Sequence, residues 1–158
     1  MRLWSQQLIP YLDRQRLLSQ HRECAALRGK GWGKKHSVVD YVFTHEHELL
    51  VAYHRLVMDE MERRGYHPDR TWDDPCWRGS TLGRKEGWAD GDMTDDQYCY
   101  AVHKGGIIYP EHNYDYLREC IALLKEKNAP IDWLAWQKDN YALEGIDLGL
   151  DQVQPSTN

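Results

Sequence analysis

The clearest feature of the chain is a stripe of apolar residues that recurs at i, i+3 and i+4 spacing after Thr44. This spacing predicts a helix from about His45 to Arg64, with Thr44 as the N-cap and Gly65 as the residue that ends it. The apolar positions are Leu49, Leu50, Tyr53, Leu56, Val57 and Met61. We interpret this stripe as a core face, which needs no functional explanation.

An earlier stretch predicts a first helix from about Pro10 to Leu27, because proline is tolerated in a first turn and Gly29 is a stop signal. Its more apolar side comprises Leu17, Leu18, His21, Cys24, Ala25 and Arg28. Its other side carries Arg16, Ser19, Glu23 and Ala26, again at helical spacing. Glu23 is therefore expected to point away from the most apolar stripe.

The last third of the chain predicts two more helices, from about Tyr114 to Lys127 and near Asp132–Tyr141. The inward positions of the former are Leu117, Cys120, Ile121 and Leu124, and the latter carries Trp133, Leu134 and Trp136. We therefore expect an all-α protein, a compact single-domain bundle of three to four helices with long irregular connections, over residues 1–149.

The middle of the chain, residues 66–105, is rich in Gly, Asp and Trp and lacks periodicity. It predicts a long irregular segment with one short helix near Asp92–Val102. Such a length is unusual for a loop, which indicates either an insertion (residues 68–105) or a functional flap. Residues 109–142 then hold the C-terminal helices, and residues 150–158 are expected to form a disordered tail.

Composition narrows the class of protein. No stretch approaches 18 consecutive apolar residues, and residues 1–10 do not resemble a secretory signal. Four cysteines, at positions 24, 76, 99 and 120, form no CxxC pair, which argues against a zinc ribbon and a dense disulfide framework. We expect a cytoplasmic protein with reduced thiols, without membrane association, metal or cofactor, and with Cys24 as a small core residue.

Charge is unevenly distributed along the chain. Residues 1–36 contain eight Lys or Arg against two Asp or Glu, whereas residues 71–158 contain eight against sixteen. A polyanion would therefore meet the N-terminal part of the protein. The alternative is ordinary unevenness without functional meaning.

A glycine- and lysine-rich stretch, Gly29–His36, follows the first helix and surrounds Trp32. It is not a Walker A motif, because the spacing is wrong and no Ser or Thr follows a Gly-Lys pair. Contacts from its lysines and backbone to phosphate are one interpretation. A solvated loop with Trp32 tucked into the core is the other.

Three motifs together resemble a known family. The chain opens Met1-Arg2-Leu3-Trp4, continues with Leu17-Leu18-Ser19-Gln20-His21-Arg22-Glu23, and has a long helix that ends Arg63-Arg64-Gly65-Tyr66. Over roughly residues 1–67 this resembles the pyrimidine-dimer DNA glycosylase family, the phage endonuclease V type of glycosylase and abasic-site (AP) lyase. The segment Tyr109-Pro110-Glu111-His112 resembles a longer bacterial and phage branch.

The resemblance implies a compact all-α fold in which the α-amine of the chain attacks C1′ of a damaged nucleotide and forms a Schiff base. Met1 would be this nucleophile, Glu23 the acid/base group and Arg22 a clamp on a flanking phosphate. An ordinary α-amine, with a pKa near 7.7–8.0, is a usable nucleophile at neutral pH. The available DNA-binding cations are Arg2, Arg16, Lys30, Lys34 and Lys35, and the candidate stacking rings are Trp4 and Trp32.

The chain departs from the family pattern at three positions. Arg2 is bulky, so Met1 is expected to be retained and to supply the amine. Arg16 stands where many relatives have His, and Ala26 stands where the phage prototype has a second Arg. Glu23 has a simpler interpretation as well, as the ion-pair partner of Arg16 or Arg22 on a solvated face.

Two alternatives to a DNA repair enzyme remain open. The same fold could bind a nucleotide or nucleotide-like signal without catalysis, as the acidic second half of the chain favours. It could also serve as a structural partner in a phage or mobile-element complex. The partner is therefore damaged duplex DNA or a nucleotide ligand, and the oligomeric state is left open.

Overall fold

A computed structural model describes residues 1–88 and 106–140 of the chain. Within these residues it contains four α-helices: α1 (Arg14–Arg28), α2 (His47–Arg63), α3 (Tyr114–Glu126) and α4 (Trp133–Asp139). Three short 3-10 helices span Gln6–Tyr11, Asp40–Thr44 and Arg70–Asp73. The described part has no strand beyond one isolated antiparallel bridge, between Trp77 and Arg84. The expected all-α fold is confirmed.

Helix α1 begins four residues later than the sequence predicted. Pro10 lies inside the separate 3-10 helix Gln6–Tyr11, and Leu12 and Asp13 adopt extended backbone, with ψ of 138° and 161°. This break lets Leu12 turn into the core while Asp13 occupies the N-cap position of α1. The predicted C-terminus is confirmed, because Gly29 is the C-cap and its N–H bonds the carbonyls of Ala25 and Ala26.

The predicted N-cap of α2 was wrong, whereas its C-terminus is confirmed. Thr44 ends the preceding 3-10 helix and its hydroxyl donates to the Tyr41 carbonyl, so Glu46 occupies the N-cap position. At the other end Gly65 has a φ of 92°, which glycine adopts without strain. The N–H groups of Gly65 and Tyr66 then bond the carbonyls of Glu62 and Met61, a Schellman motif.

The core lies where α1 packs on α2. The predicted stripe of α2 is buried apart from Leu56, which is half-buried. The four inward positions of α3 are all buried, as predicted. On α4, Trp136 is fully buried and meets Tyr11 edge to face, with ring centroids 5.3 Å apart. These contacts bring the N-terminal segment, α1, α2 and α3 around one core.

Residues 66–88 are irregular, as expected, apart from the turn Arg70–Asp73 and a tight loop closed by the bridge at Trp77. The short helix expected near Asp92–Val102 and the tail expected from residue 150 lie outside the described residues. None of the described helices combines the length and apolarity needed to cross a bilayer. In the same residues, no three His, Cys, Asp or Glu side chains are grouped as a metal site.

Candidate active site

The first residues of the chain run along α1 and are held there by Gln20. This side chain is 1% exposed; its Oε1 accepts the Trp4 N–H at 2.7 Å and its Nε2 donates to the Arg2 carbonyl at 2.8 Å. An amide side chain thus pairs with the backbone much as a neighbouring strand would. The N-terminal segment is thereby fixed in position relative to the next turn of α1, which carries Glu23.

Two tyrosines complete this attachment. Tyr53 of α2 donates its hydroxyl to the Trp4 carbonyl at 2.6 Å and lies 2.9 Å from Gln20 Oε1. Tyr116 of α3 donates its hydroxyl to the Leu3 carbonyl. The three consecutive carbonyls of residues 2–4 therefore each accept a hydrogen bond from a side chain, and each donor comes from a different helix.

Gln6 is anchored by the segment before α3. The Gln6 N–H donates to Nδ1 of the buried His112 at 3.1 Å. The Gln6 side chain bonds both the carbonyl of Gly106 and the N–H of Ile108, each at 2.8 Å. Residues 106–119 thus contribute as directly as α1 does to the placement of the N-terminus.

Glu23 lies beside the α-amine. Its Oε2 accepts the Arg2 N–H at 3.4 Å and the Gln20 Nε2–H at 3.0 Å. Backbone nitrogens of consecutive residues are at most about 3.7 Å apart, so the Met1 nitrogen lies within about 7 Å of this oxygen. Met1 itself is 45% exposed. An exposed first residue and a half-buried carboxylate are therefore neighbours.

Burial raises the pKa of Glu23 above its ordinary value. The Arg2 N–H, the positive charge of the chain terminus, Arg22 and His36 act in the opposite direction, because each stabilises the carboxylate. A raised pKa makes the carboxylate a stronger base, which is the direction that acid/base catalysis requires. The environment of Glu23 thus suits acid/base chemistry at the neighbouring amine.

The structure does not pair Glu23 with either arginine considered from the sequence. Arg16 forms its ion pair with Asp13, at 3.2 Å, and Arg22 donates to the Ser19 hydroxyl at 3.0 Å. Arg22 is exposed at the centre of the outer face of α1. It is therefore placed to meet a ligand that lies over Glu23.

Two of the predicted DNA-binding cations are already engaged with carboxylates. Arg2 is bonded to Glu119 at 2.7 Å and to the Tyr116 hydroxyl at 3.4 Å, and its charge lies 5.6 Å from the Tyr116 ring centre. Arg16 has the Asp13 pair described above. The structure thus argues against both as free phosphate ligands, because a phosphate would have to displace an acidic partner. The remaining predicted cations are exposed: Lys30, Lys34 and Lys35.

The two candidate stacking rings are differently placed. Trp4 is only 8% exposed and belongs to the core, which argues against it as a platform for a base. Trp32 is half-buried, with ring centroids 5.0 Å from both Phe43 and His47 and nearly perpendicular to them. This agrees with the interpretation in which the loop tryptophan is tucked against the core.

Sequence reasoning missed the residues that position the terminus. Gln20 lies three residues before Glu23 and so on the same side of α1, but its place in the helix gave little reason to expect four polar contacts from its side chain. Tyr53 was recognised only as a core residue. Tyr116 follows the N-terminus by more than a hundred residues, and nothing local links the two.

The comparison with known families bears on this same region. A family model described as pyrimidine dimer DNA glycosylase matches residues 1–74. This stretch contains Met1, Gln20, Arg22 and Glu23, whereas Tyr116 and Glu119 lie beyond it. No curated protein and no solved structure matches the chain. The resemblance noted in the sequence is confirmed over this stretch, which is slightly less than half of the chain.

Proposed function

We propose that the protein is a DNA glycosylase and AP lyase that removes pyrimidine dimers or another altered base, with the α-amine of Met1 as its nucleophile. The observation that carries this proposal is the bond from the Arg2 N–H to Glu23, which holds a carboxylate beside the first residue of a family-matched segment. The exposed Met1 is open to a substrate, while the rest of the segment is fixed.

The chemistry assigned to these groups is the following. The amine attacks C1′ of the damaged nucleotide, the base leaves with the electrons of the glycosidic bond, and a Schiff base forms between the amine and the opened sugar. Removal of a C2′ proton then expels the 3′ phosphate by β-elimination and cuts the strand. Glu23 accepts and returns protons at these steps and stabilises the cationic intermediate, while Arg22 holds a flanking phosphate.

Borohydride trapping with an abasic-site duplex tests the nucleophile. We expect a covalent protein–DNA complex for protein whose chain starts at Met1. The matched control is the same protein with an N-terminal fusion still attached, in which the amine is converted to an amide. Equal trapping with and without the fusion would show that a lysine, not Met1, reacts.

The acid/base assignment is tested by Glu23→Gln, which keeps an oxygen for the Arg2 N–H. We expect strand cleavage to fall by about 10²–10⁴-fold, the usual contribution of a positioned acid/base group. Glu126→Gln, an exposed position at the end of α3, is the control for loss of one negative charge. Unchanged cleavage by Glu23→Gln removes Glu23 from the mechanism.

A non-catalytic nucleotide binder predicts different results in the same assays. It would form no covalent complex, and its affinity for a mononucleotide would depend only weakly on salt. Binding of a DNA duplex should instead weaken steeply as salt rises, because phosphate contacts release counterions. Thermal-shift measurements with nucleotides and with duplex DNA at several salt concentrations therefore separate the two functions.

A further inference from the structure

A chain of three nitrogen-bearing side chains runs from the interior of the protein to the exposed face of α1, and the mechanism above does not use it. Arg28 and His54 are both 0% exposed, and His21 is half-buried. Arg28 Nη1 lies 3.0 Å from His54 Nδ1, and His54 Nε2 lies 2.8 Å from His21 Nδ1. This series is called the Arg28–His54–His21 chain below.

Donor and acceptor roles in this chain follow from the first member. A guanidinium can only donate, so His54 Nδ1 accepts from Arg28. The remaining proton of a neutral His54 is then on Nε2 and is donated to His21 Nδ1. His21 Nδ1 is thereby an acceptor, and the proton of a neutral His21 is on Nε2, the ring nitrogen turned away from His54.

The surroundings keep both rings neutral near pH 7. Burial lowers the pKa of His54 far below its ordinary value, and the charges of Arg28 and Arg70 act in the same direction. Burial lowers the pKa of His21 too, assisted by Arg22 and Arg28, while the exposed Asp69 acts against them. Arg28 itself is held by the carbonyls of Trp72 and Asp74, at 2.7 and 2.9 Å.

Helical geometry places the end of this chain beside Arg22, on the side of that residue opposite Glu23. Residues 21, 22 and 23 follow one another at about 100° around α1, so His21 and Glu23 flank the exposed Arg22 on its two sides. A helix with its side chains is about 10–12 Å across, and about three nucleotides of one DNA strand cover that width. A strand that crosses the outer face of α1 at Arg22 therefore has Glu23 on one flank and His21 on the other.

We propose that Arg28 and His54 hold His21 in its Nε2–H form, and that this N–H donates a hydrogen bond to a phosphodiester oxygen of the DNA strand bound at Arg22 and Glu23. Phosphate is the expected acceptor because most protein–DNA hydrogen bonds go to phosphate and sugar oxygens. The contact is neutral, so it fixes the position of the strand without releasing a counterion. This inference rests on the proposed function for its ligand, whereas the proton arrangement does not depend on DNA.

The proton arrangement is measured by ¹⁵N NMR of the histidine rings in the DNA-free protein at pH 7.5. We expect Nδ1 of His21 to be unprotonated and Nε2 to carry the proton. His54→Gln keeps an N–H donor facing His21 and should preserve this form, whereas His54→Leu should yield a mixture of the two neutral forms. A proton on Nδ1 of His21 in the unaltered protein, or a doubly protonated ring, overturns the proposal.

The DNA contact is measured by fluorescence anisotropy with an abasic-site duplex. His21→Leu should weaken binding about tenfold, since a hydrogen bond to a charged group is lost. The slope of log affinity against log salt should stay the same, whereas Arg22→Ala should reduce it by about 0.9. His21→Gln, which places an amide N–H near the position of Nε2, should restore most of the affinity, and Gln15→Leu at an exposed position of α1 is the matched control.

The outcomes also separate this inference from the proposed function. If the unaltered protein is trapped on DNA but His21→Leu binds as tightly as the control variant, only the role of His21 is refuted. A salt slope reduced by His21→Leu would show a charged imidazole and would refute the neutral contact. If the unaltered protein neither binds DNA nor is trapped, the proposed function fails and the DNA contact fails with it.

Discussion

Replacement of Gln20 by leucine is the sharpest test of how the N-terminal segment is held. Leucine has a similar size but offers no polar atoms to the four groups that Gln20 meets. The Trp4 N–H loses its partner in the interior, whereas the Arg2 carbonyl and Glu23 are part-exposed and can turn to water. Tyr53 keeps its bond to the Trp4 carbonyl.

The expected loss of stability is the sum of what each of these groups loses. An unpaired buried N–H costs about 1–3 kcal/mol, and loss of the remaining bonds adds about 0.5–1.5 kcal/mol. We therefore expect a loss of about 2–4 kcal/mol in the free energy of unfolding. For a chain of this size that corresponds to a fall in Tm of roughly 5–15 °C.

Thermal and urea unfolding followed by circular dichroism measure this loss, with Gln15→Leu on the exposed side of α1 as the control. Borohydride trapping should fall as well, by at least about tenfold, because misplacement of a reacting group by 1 Å is already costly. A Tm within 2 °C of the unaltered protein, with normal trapping, would refute the view that Gln20 holds the terminus.

Three further results are expected. Glu23→Gln should raise the free energy of unfolding at pH 8 and leave it unchanged at pH 4, below the ordinary pKa of 4.5. Burial raises the pKa of Glu23, so its ionised form costs stability only as pH rises. Urea unfolding at both pH values measures this, and equal or opposite shifts would contradict it. Burial lowers the pKa of three histidines, to about 3 for His47 and His112 and far below its ordinary value for His54. The stability that these neutral rings contribute is present above their ordinary pKa of 6.5 and is lost as pH falls, because the unfolded chain then binds protons that the folded chain does not. His47 and His112 alone should make the free energy of unfolding about 3 kcal/mol smaller at pH 5.5 than at pH 7.5, and an equal or larger value at pH 5.5 would contradict the burial of neutral rings. Substitution by glutamine of the three exposed loop lysines should lower the salt slope of DNA binding by up to about 2.7, while Lys127→Gln with Lys138→Gln should not change it: the loop positions are Lys30, Lys34 and Lys35.

The parts of the fold that were predicted correctly are those with a local physical cause. Apolar spacing located the bodies of all four described helices. Gly65 and Gly29 marked the ends of two of them, because glycine is favoured where a helix ends. The errors occurred at N-termini. At Thr44 the hydroxyl bonds backward to Tyr41 in a 3-10 turn, an alternative that the sequence offers equally well.

In the candidate site, too, only the residues with a local sequence signal were predicted. The motif around Glu23 pointed to the carboxylate and to the adjacent Arg22, since both lie in one helical segment near the start of the chain. The supporting contacts join residues that are far apart in sequence, such as Leu3 with Tyr116 and Gln6 with His112. Only the packing of α3 against the N-terminal segment brings them together, and no periodicity encodes that packing.

The charge count of the N-terminal region illustrates what folding adds. Eight cations precede residue 37, but Arg2 and Arg16 are paired with carboxylates and Arg28 is buried against carbonyl groups. Five cations remain at the surface, and Arg14 among them lies two turns of helix away from Arg22, beside Tyr66. A DNA strand over Glu23 would therefore meet about four free charges, so the salt slope of binding should not exceed about 4 in magnitude. A much steeper slope would mean that Glu119 or Asp13 releases its arginine when DNA binds.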